Sequence, residues 1–394
     1  MSNIRKWVLA VSILLPMASC SSPPETIPAT PLGEPLPGLR PAELARFRQG
    51  EALFNRVYTP AEGVGPLFNE NQCSACHTKP VAGGTGEQFL IKATRFTPPA
   101  DCDLLRSEGG ENVRTQATPL LLAHGINEEP FPARATERGK FSVPFLFGLG
   151  LVEEIPAETI LEREDSADAD GDGISGRAAR DSAGVVGRFS RKADILSIEG
   201  FVGTALRFEM GLTTPLAPHD LTIAGSPLPE GTDPAPDPEV NQRTVELLTD
   251  YVRFLAPPAR RIPGDPDAAS FVAQGEEIFK SIGCSSCHVP SMATGDSDIP
   301  ALDNKEVYLY SDLLLHDLGP GLASTCGYTA SPRETRTEML MGLGRRDRYL
   351  HDDRAFSLRD AIMEHGGEAA PVRARFAALG RLMQESLIRF LESL

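Results

Sequence analysis

The chain has 394 residues, 54 of them acidic against 38 Lys and Arg, for a formal net charge of −16 with 41% hydrophobic residues. That length allows two or three domains, each burying its own core. So acidic a chain excludes nucleic acid and anionic membrane as its main partners and leaves small molecules and basic proteins.

The first stretch, MSNIRKWVLAVSILLPMASC, has Arg5 and Lys6, an apolar run too short to span a bilayer, and small residues before Cys20. Residues 1–19 therefore read as an export signal. A cysteine directly after Met17-Ala18-Ser19 resembles a bacterial lipoprotein signal, with Cys20 as the lipidated first residue. Met17 is an unusual choice there, and simple cleavage is the alternative. Residues 20–44, Pro-rich from Ser21 to Pro41, read as anchor and tether. The expected location is periplasmic, on the outer membrane and touching it only through the lipid.

Two CxxCH motifs follow, CSACH at Cys73, Cys76 and His77, and CSSCH at Cys284, Cys287 and His288. Thiols one helical turn apart can add to the two vinyl groups of a haem, and the next residue sets an imidazole under the iron. Zinc would need further Cys or His at ligand spacing, and a thioredoxin-like pair would need a strand-to-helix junction; neither flank supplies these. The expected cofactors are two haem c groups on His77 and His288. Cys102 and Cys326 remain, and in an oxidising compartment they suggest a disulfide joining the two halves of the chain.

The flanks repeat. QGEALF (49–54) and QGEEIF (274–279) precede the motifs, FLFGLG (145–150) and MLMGLG (339–344) follow them, and VRFL (252–255) and IRFL (388–391) come last. This implies a mainly α protein of two cytochrome c-like haem lobes in tandem, residues 45–256 and 268–394, with APPARRIPGDPDA (256–268) as linker. The first lobe carries long irregular insertions around 78–140 and 157–240. One insertion holds DSADADGDGISGR. Its Asp168, Asp170 and Asp172 match the first half of a calcium loop, although Ala179 stands where an EF-hand has its bidentate acid, and a solvated acidic turn is the alternative. His219, in the Pro-rich run 215–238, reads as exposed.

Near the C-terminus, YLHDDRAFSLRDAIMEH (349–365) reads as a loop and a short helix capped by Ser357. Leu358, Ala361, Ile362 and His365 share the inward face.

The stretches FNENQCSACH, GLGLVEEIP, DADGDGISGR, YSDLLLHDLG, YLHDDRAFSLRDAI and EHGGEA resemble the di-haem oxidoreductases, kin to bacterial di-haem cytochrome c peroxidases and MauG. The resemblance runs from about residue 42 to the end. It implies that one haem stores an electron and that the other, open on its distal side, reduces hydrogen peroxide or another small oxidant. A small redox protein or a quinol-linked donor would supply electrons. In such peroxidases a second-lobe Arg precedes a YxH segment, whose His is followed fourteen residues on by a methionine ligand of the C-terminal haem. Arg336, Tyr349 and His351 fit, and the ligand position is His365, with Met363 two residues off register. The resemblance also offers His124 as a resting ligand of the N-terminal haem, with a surface-loop histidine as the alternative. Glu153 or Glu154 is offered as the distal acid, with ordinary helix-start charges as the alternative. His316 belongs to the resemblance without an assigned role. Two departures stand out: the only tryptophan is Trp7, so Tyr, Phe or direct exchange must replace an inter-haem Trp, and Met339 stands where the relatives have proline. A pure electron-transfer cytochrome and a MauG-like oxidation of a partner protein are the rival readings.

Overall fold

The computed structural model describes residues 23–394; Trp7 and Cys20 lie outside them. In each half of the chain a helix leads to the CxxCH motif and a later helix packs across it. The Pro41–Phe54 helix begins on proline, with Glu43 accepting from the Arg40 backbone N–H at 2.7 Å, and buries Phe47, Gly50 and Phe54. The Pro266–Ser281 helix begins with the Asp265 side chain accepting from the Ala268 N–H at 2.8 Å and buries Val272, Gly275, Ile278 and Phe279. Their partners are the Gln242–Phe254 and Arg381–Ser393 helices.

The repeated strings mark where these helices touch. A Cβ on Gly50 would lie 2.0 Å from the Leu247 carbonyl oxygen and 2.8 Å from the Tyr251 Cβ; one on Gly275 would lie 2.0 Å from the Ser386 carbonyl oxygen and 2.8 Å from the Phe390 Cβ. Only glycine lets the backbones approach so closely. Gly150 and Gly344 repeat the device, meeting the carbonyls of Arg253 and Glu392. Leu247, Tyr251 and Arg253 thus correspond to Ser386, Phe390 and Glu392, about one helical turn further along than matching VRFL with IRFL implies.

Three expectations change. The insertion after the first motif is not irregular: the Phe89–Thr97 strand pairs antiparallel with Glu137–Ser142 and with Asp101–Asp103. Residues from 23 onward do not form a free tether, because Glu25–Thr26 pairs in parallel with Lys305 and Glu306, and Leu36 is buried with its N–H on the Phe254 carbonyl. The apolar side chains among those prolines gain more from the body of the protein than from water. Nor is the larger core confined to the first half: Met292, Leu302, Val307, Leu313 and Met341 join Phe47, Phe147, Leu248 and Phe254 in it. A second core gathers Ile278, Phe279, Tyr310, Leu358, Phe376, Leu387 and Phe390. Cys102 and Cys326 form a disulfide, Cα to Cα 6.0 Å, tying the sheet to the second half. Among the described residues no helix is long and apolar enough to cross a membrane.

Candidate functional site

Each CxxCH motif folds as a single tight turn, α-helical at Cys73–Cys76 and 3-10 at Cys284–Ser286, which sets its two thiols on one side with the histidine just after. None of the four cysteines is in a disulfide. Burial pushes the thiols of Cys73, Cys76 and Cys284 up to about 12. His77 Nδ1 donates to the Gly84 carbonyl at 3.0 Å and His288 Nδ1 to the Tyr310 carbonyl at 3.0 Å, which leaves Nε2 as the metal-binding nitrogen in each. Burial holds both imidazoles neutral, lowered to about 4, against the opposing carbonyls.

The motifs open onto two different cavities. The cavity over His288, about 200 Å³, is lined by Cys284, Cys287, His288, His316, His351 and His365. Ser357 caps the Leu358–Glu364 helix, its Oγ accepting from the Asp360 N–H at 3.1 Å, and His365 lies just past the helix end. Its Nδ1 donates to the Ala361 carbonyl at 2.7 Å, and its ring is close enough to lower the His288 pKa further after burial. Met363 is 44% exposed and outside the cavity lining. His351 is largely kept neutral by burial, at about 4, and its carbonyl accepts from the Ser142 N–H at 2.7 Å.

His316 is buried between carboxylates, Nε2 2.8 Å from Asp312 Oδ2 and Nδ1 2.8 Å from Glu368 Oε2, with Cys287 Sγ 3.9 Å away. Burial opposes its protonation, yet Asp312, Cys287 and Glu368 together push it up to about 12. Glu368 also accepts from the Ser175 N–H at 3.1 Å and from the Ser175 Oγ at 2.9 Å, so it ties the end of the acidic loop to this cavity. In that loop the carboxylates brought together are Asp165, Asp168 and Asp170. Asp172 stands apart and accepts from the Ile174 N–H.

The cavity over His77, about 190 Å³, has no second histidine in its lining. His124 is exposed just past the Pro119–Leu122 helix, whose buried residue is Leu121, and is not among the residues lining this cavity. Glu153 and Glu154 are also outside it. Glu153 accepts from Arg253 Nε at 2.7 Å and from the Ile198 N–H at 2.7 Å, fixing the start of the Ile198–Glu209 helix. Burial and then repulsion from Glu153 raise the Glu154 carboxyl.

The acids that do line the cavity are Glu111, Asp194, Glu209 and Glu338. Glu209 ends the Ile198–Glu209 helix and accepts from Asn69 Nδ2 at 3.0 Å and from Asn112 Nδ2. Burial pushes it up to about 7 although both amides oppose the change. One faint signal of it is present in the sequence, a carboxylate in the largely apolar run ALRFEMGL. The cavity also contains Met339, the residue that departs from proline. Arg191, Arg336 and Glu338 line both cavities, and the ring of Phe141, on the cavity over His77, lies 5.7 Å from that of His351, on the cavity over His288.

Two thiol pairs, each beside a neutral buried imidazole on a cavity, suit two haems, and the fold and sites define a di-haem protein. The family described as "Di-haem oxidoreductase, putative peroxidase" matches residues 137–394, and the chain belongs to it. No curated protein matches the sequence. Among solved structures, the di-haem peroxidase BthA of Burkholderia thailandensis is similar at 15% identity and TM-score 0.43, over 97% of this chain and 95% of that one. Kuenenia stuttgartiensis hydrazine synthase is similar at 14% identity and TM-score 0.42 over 100% of both chains. A MauG-like protein associated with microbial copper homeostasis is similar at 12% identity and TM-score 0.38, over 97% and 95%.

Proposed function

We propose that this chain is a periplasmic di-haem c peroxidase that stores an electron at the cavity over His288 and reduces hydrogen peroxide at the cavity over His77. The observation that carries the reading is the asymmetry of the cavities: His288 shares its cavity with His365, whereas His77 faces carboxylates and no second imidazole. Haem iron, when bound, supplies electron storage and, where a coordination position is open, the site of peroxide reduction. Cys73, Cys76, Cys284 and Cys287 would attach the two haems, and His77 and His288 would hold them from one side. His365 would close the second side of the C-terminal haem. Reduction of hydrogen peroxide to two waters consumes two electrons and two protons, so a group must move protons to the departing oxygen. Glu209 is suited to that task, buried at the cavity and poised near neutral pH.

Cys20 would anchor the mature chain to the outer membrane, with a small redox protein or quinol-linked donor supplying electrons. Loss of the protein from membrane fractions on Cys20→Ala tests the anchor. Asp165, Asp168 and Asp170 would hold calcium in the acidic loop, and calorimetric titration of wild type and Asp168→Asn with calcium chloride tests that.

The rival reading is a pure electron-transfer cytochrome, and Met339 favours it, because its thioether in the first cavity could close the N-terminal iron. Low-temperature EPR of the haem-loaded protein, fully ferric and then reduced by one electron, separates the two. The peroxidase reading expects one iron that is high-spin or becomes so on half-reduction; two irons that stay low-spin throughout overturn it.

A further inference from the structure

Segment 335–340 runs between the cavities: Thr335, Thr337 and Leu340 face the one over His288, Met339 faces the one over His77, and Arg336 and Glu338 reach both. Around Glu338 gather three guanidiniums: Arg191 in direct contact, Arg336 at 3.2 Å and Arg346 at 3.6 Å. Their side chains are 13%, 5% and 11% exposed. Burial works against the Glu338 charge, but the three arginines hold its carboxyl down to about 2.

Three buried cations therefore share one carboxylate. Among the described residues no other carboxylate is within salt-bridge distance of them. Asp312 acts on Arg336 only at longer range and is engaged by His316; Asp353 acts on Arg346 and Arg191 from beyond contact. Backbone oxygens take part of the load, with Arg336 Nε donating to Ser190 at 2.9 Å and Nη1 to Thr337 at 2.8 Å. These satisfy hydrogen bonds but not charge. Buried charge without a counter-ion is costly, so a surplus of two cations on the wall of two cavities calls for anions inside them.

We propose that Arg191, Arg336 and Arg346 form one anion site shared by both cavities, which takes the propionate carboxylates of the two haems and sets both reduction potentials together. The inference rests on the reading that each cavity holds a haem. Positive charge beside an iron favours the ferrous state, so the arginines raise both potentials and Glu338 lowers both. The wall then couples the haems electrostatically.

The test is a spectroscopic redox titration of the full-length holoprotein, with attachment of two haems first verified by intact mass and pyridine haemochrome. Arg336→Gln lowers both midpoint potentials and Glu338→Gln raises both, while Arg373→Gln, which lines only the cavity over His288, moves one. If Arg336→Gln fails to fold, Glu338→Gln decides alone. A di-haem variant in which one potential or neither moves overturns the shared site and leaves the two-haem reading standing. A wild-type chain that attaches no haem overturns both.

Discussion

Replacing Glu209 by glutamine separates a proton-handling role from a structural one, because the two depend on pH in different ways. The Glu209 carboxyl is pushed up to about 7 from an ordinary value near 4.5, burial outweighing the hydrogen bonds from Asn69 and Asn112. A carboxyl whose folded pKa lies above its unfolded one binds its proton more tightly in the folded protein. Its effect on stability is absent below about pH 4.5, where both states are protonated, and grows as pH rises to about 7. At 1.36 kcal/mol per pKa unit the full penalty above pH 7 is about 3 kcal/mol. Glutamine is uncharged at every pH and avoids it. In denaturant titrations Glu209→Gln therefore matches the wild type at pH 4 and is more stable by up to about 3 kcal/mol at pH 8. Peroxide turnover falls in the same variant, by about 10²-fold or more for a lost acid–base group. A stability difference independent of pH would refute the burial argument, and unchanged turnover with the expected stability gain would refute the catalytic one.

His365→Ala is expected to turn the C-terminal haem high-spin, read by EPR, while His365→Met keeps it low-spin and raises its potential. His124→Ala, at an exposed site, should leave the spectra of both haems unaltered. Gly50→Ala forces a methyl group to within 2.0 Å of the Leu247 carbonyl and should destabilise the fold by about 1–3 kcal/mol in denaturant titration, despite alanine's better helix propensity. Cys102→Ser opens a bond spanning 224 residues of sequence and should cost about 2–5 kcal/mol, measured against the oxidised wild type.

What the sequence made legible was local. A CxxCH motif specifies thiols and imidazole within one turn, and the glycines of QGEALF and QGEEIF stand out because each lies inside a helix, where glycine is unfavourable unless a neighbour comes close. His365 could be placed by its distance from His351, since both belong to one continuous segment. The distal side of the first cavity is different. Its lining comes from the Phe89–Thr97 strand, residues 141–145, the Ile198–Glu209 helix and segment 335–340, elements joined only by tertiary pairing. Chain position therefore gave a poor guide to which acid enters: Glu153 follows the repeated GLGLV landmark yet turns to Arg253 and the Ile198 amide. Glu209, more than 130 residues beyond His77, reaches the cavity because its helix lies against the Gln242–Phe254 helix that also buries Gly50. The Gln242–Phe254 helix thus makes two contacts, one with the helix of the duplicated glycine and one with the helix that carries Glu209 to the first cavity. The second half has the equivalent crossing at Gly275 but, in place of such a helix, the short Leu358–Glu364 turn that delivers His365. One duplicated frame, differently elaborated, yields an imidazole in one cavity and an acid in the other.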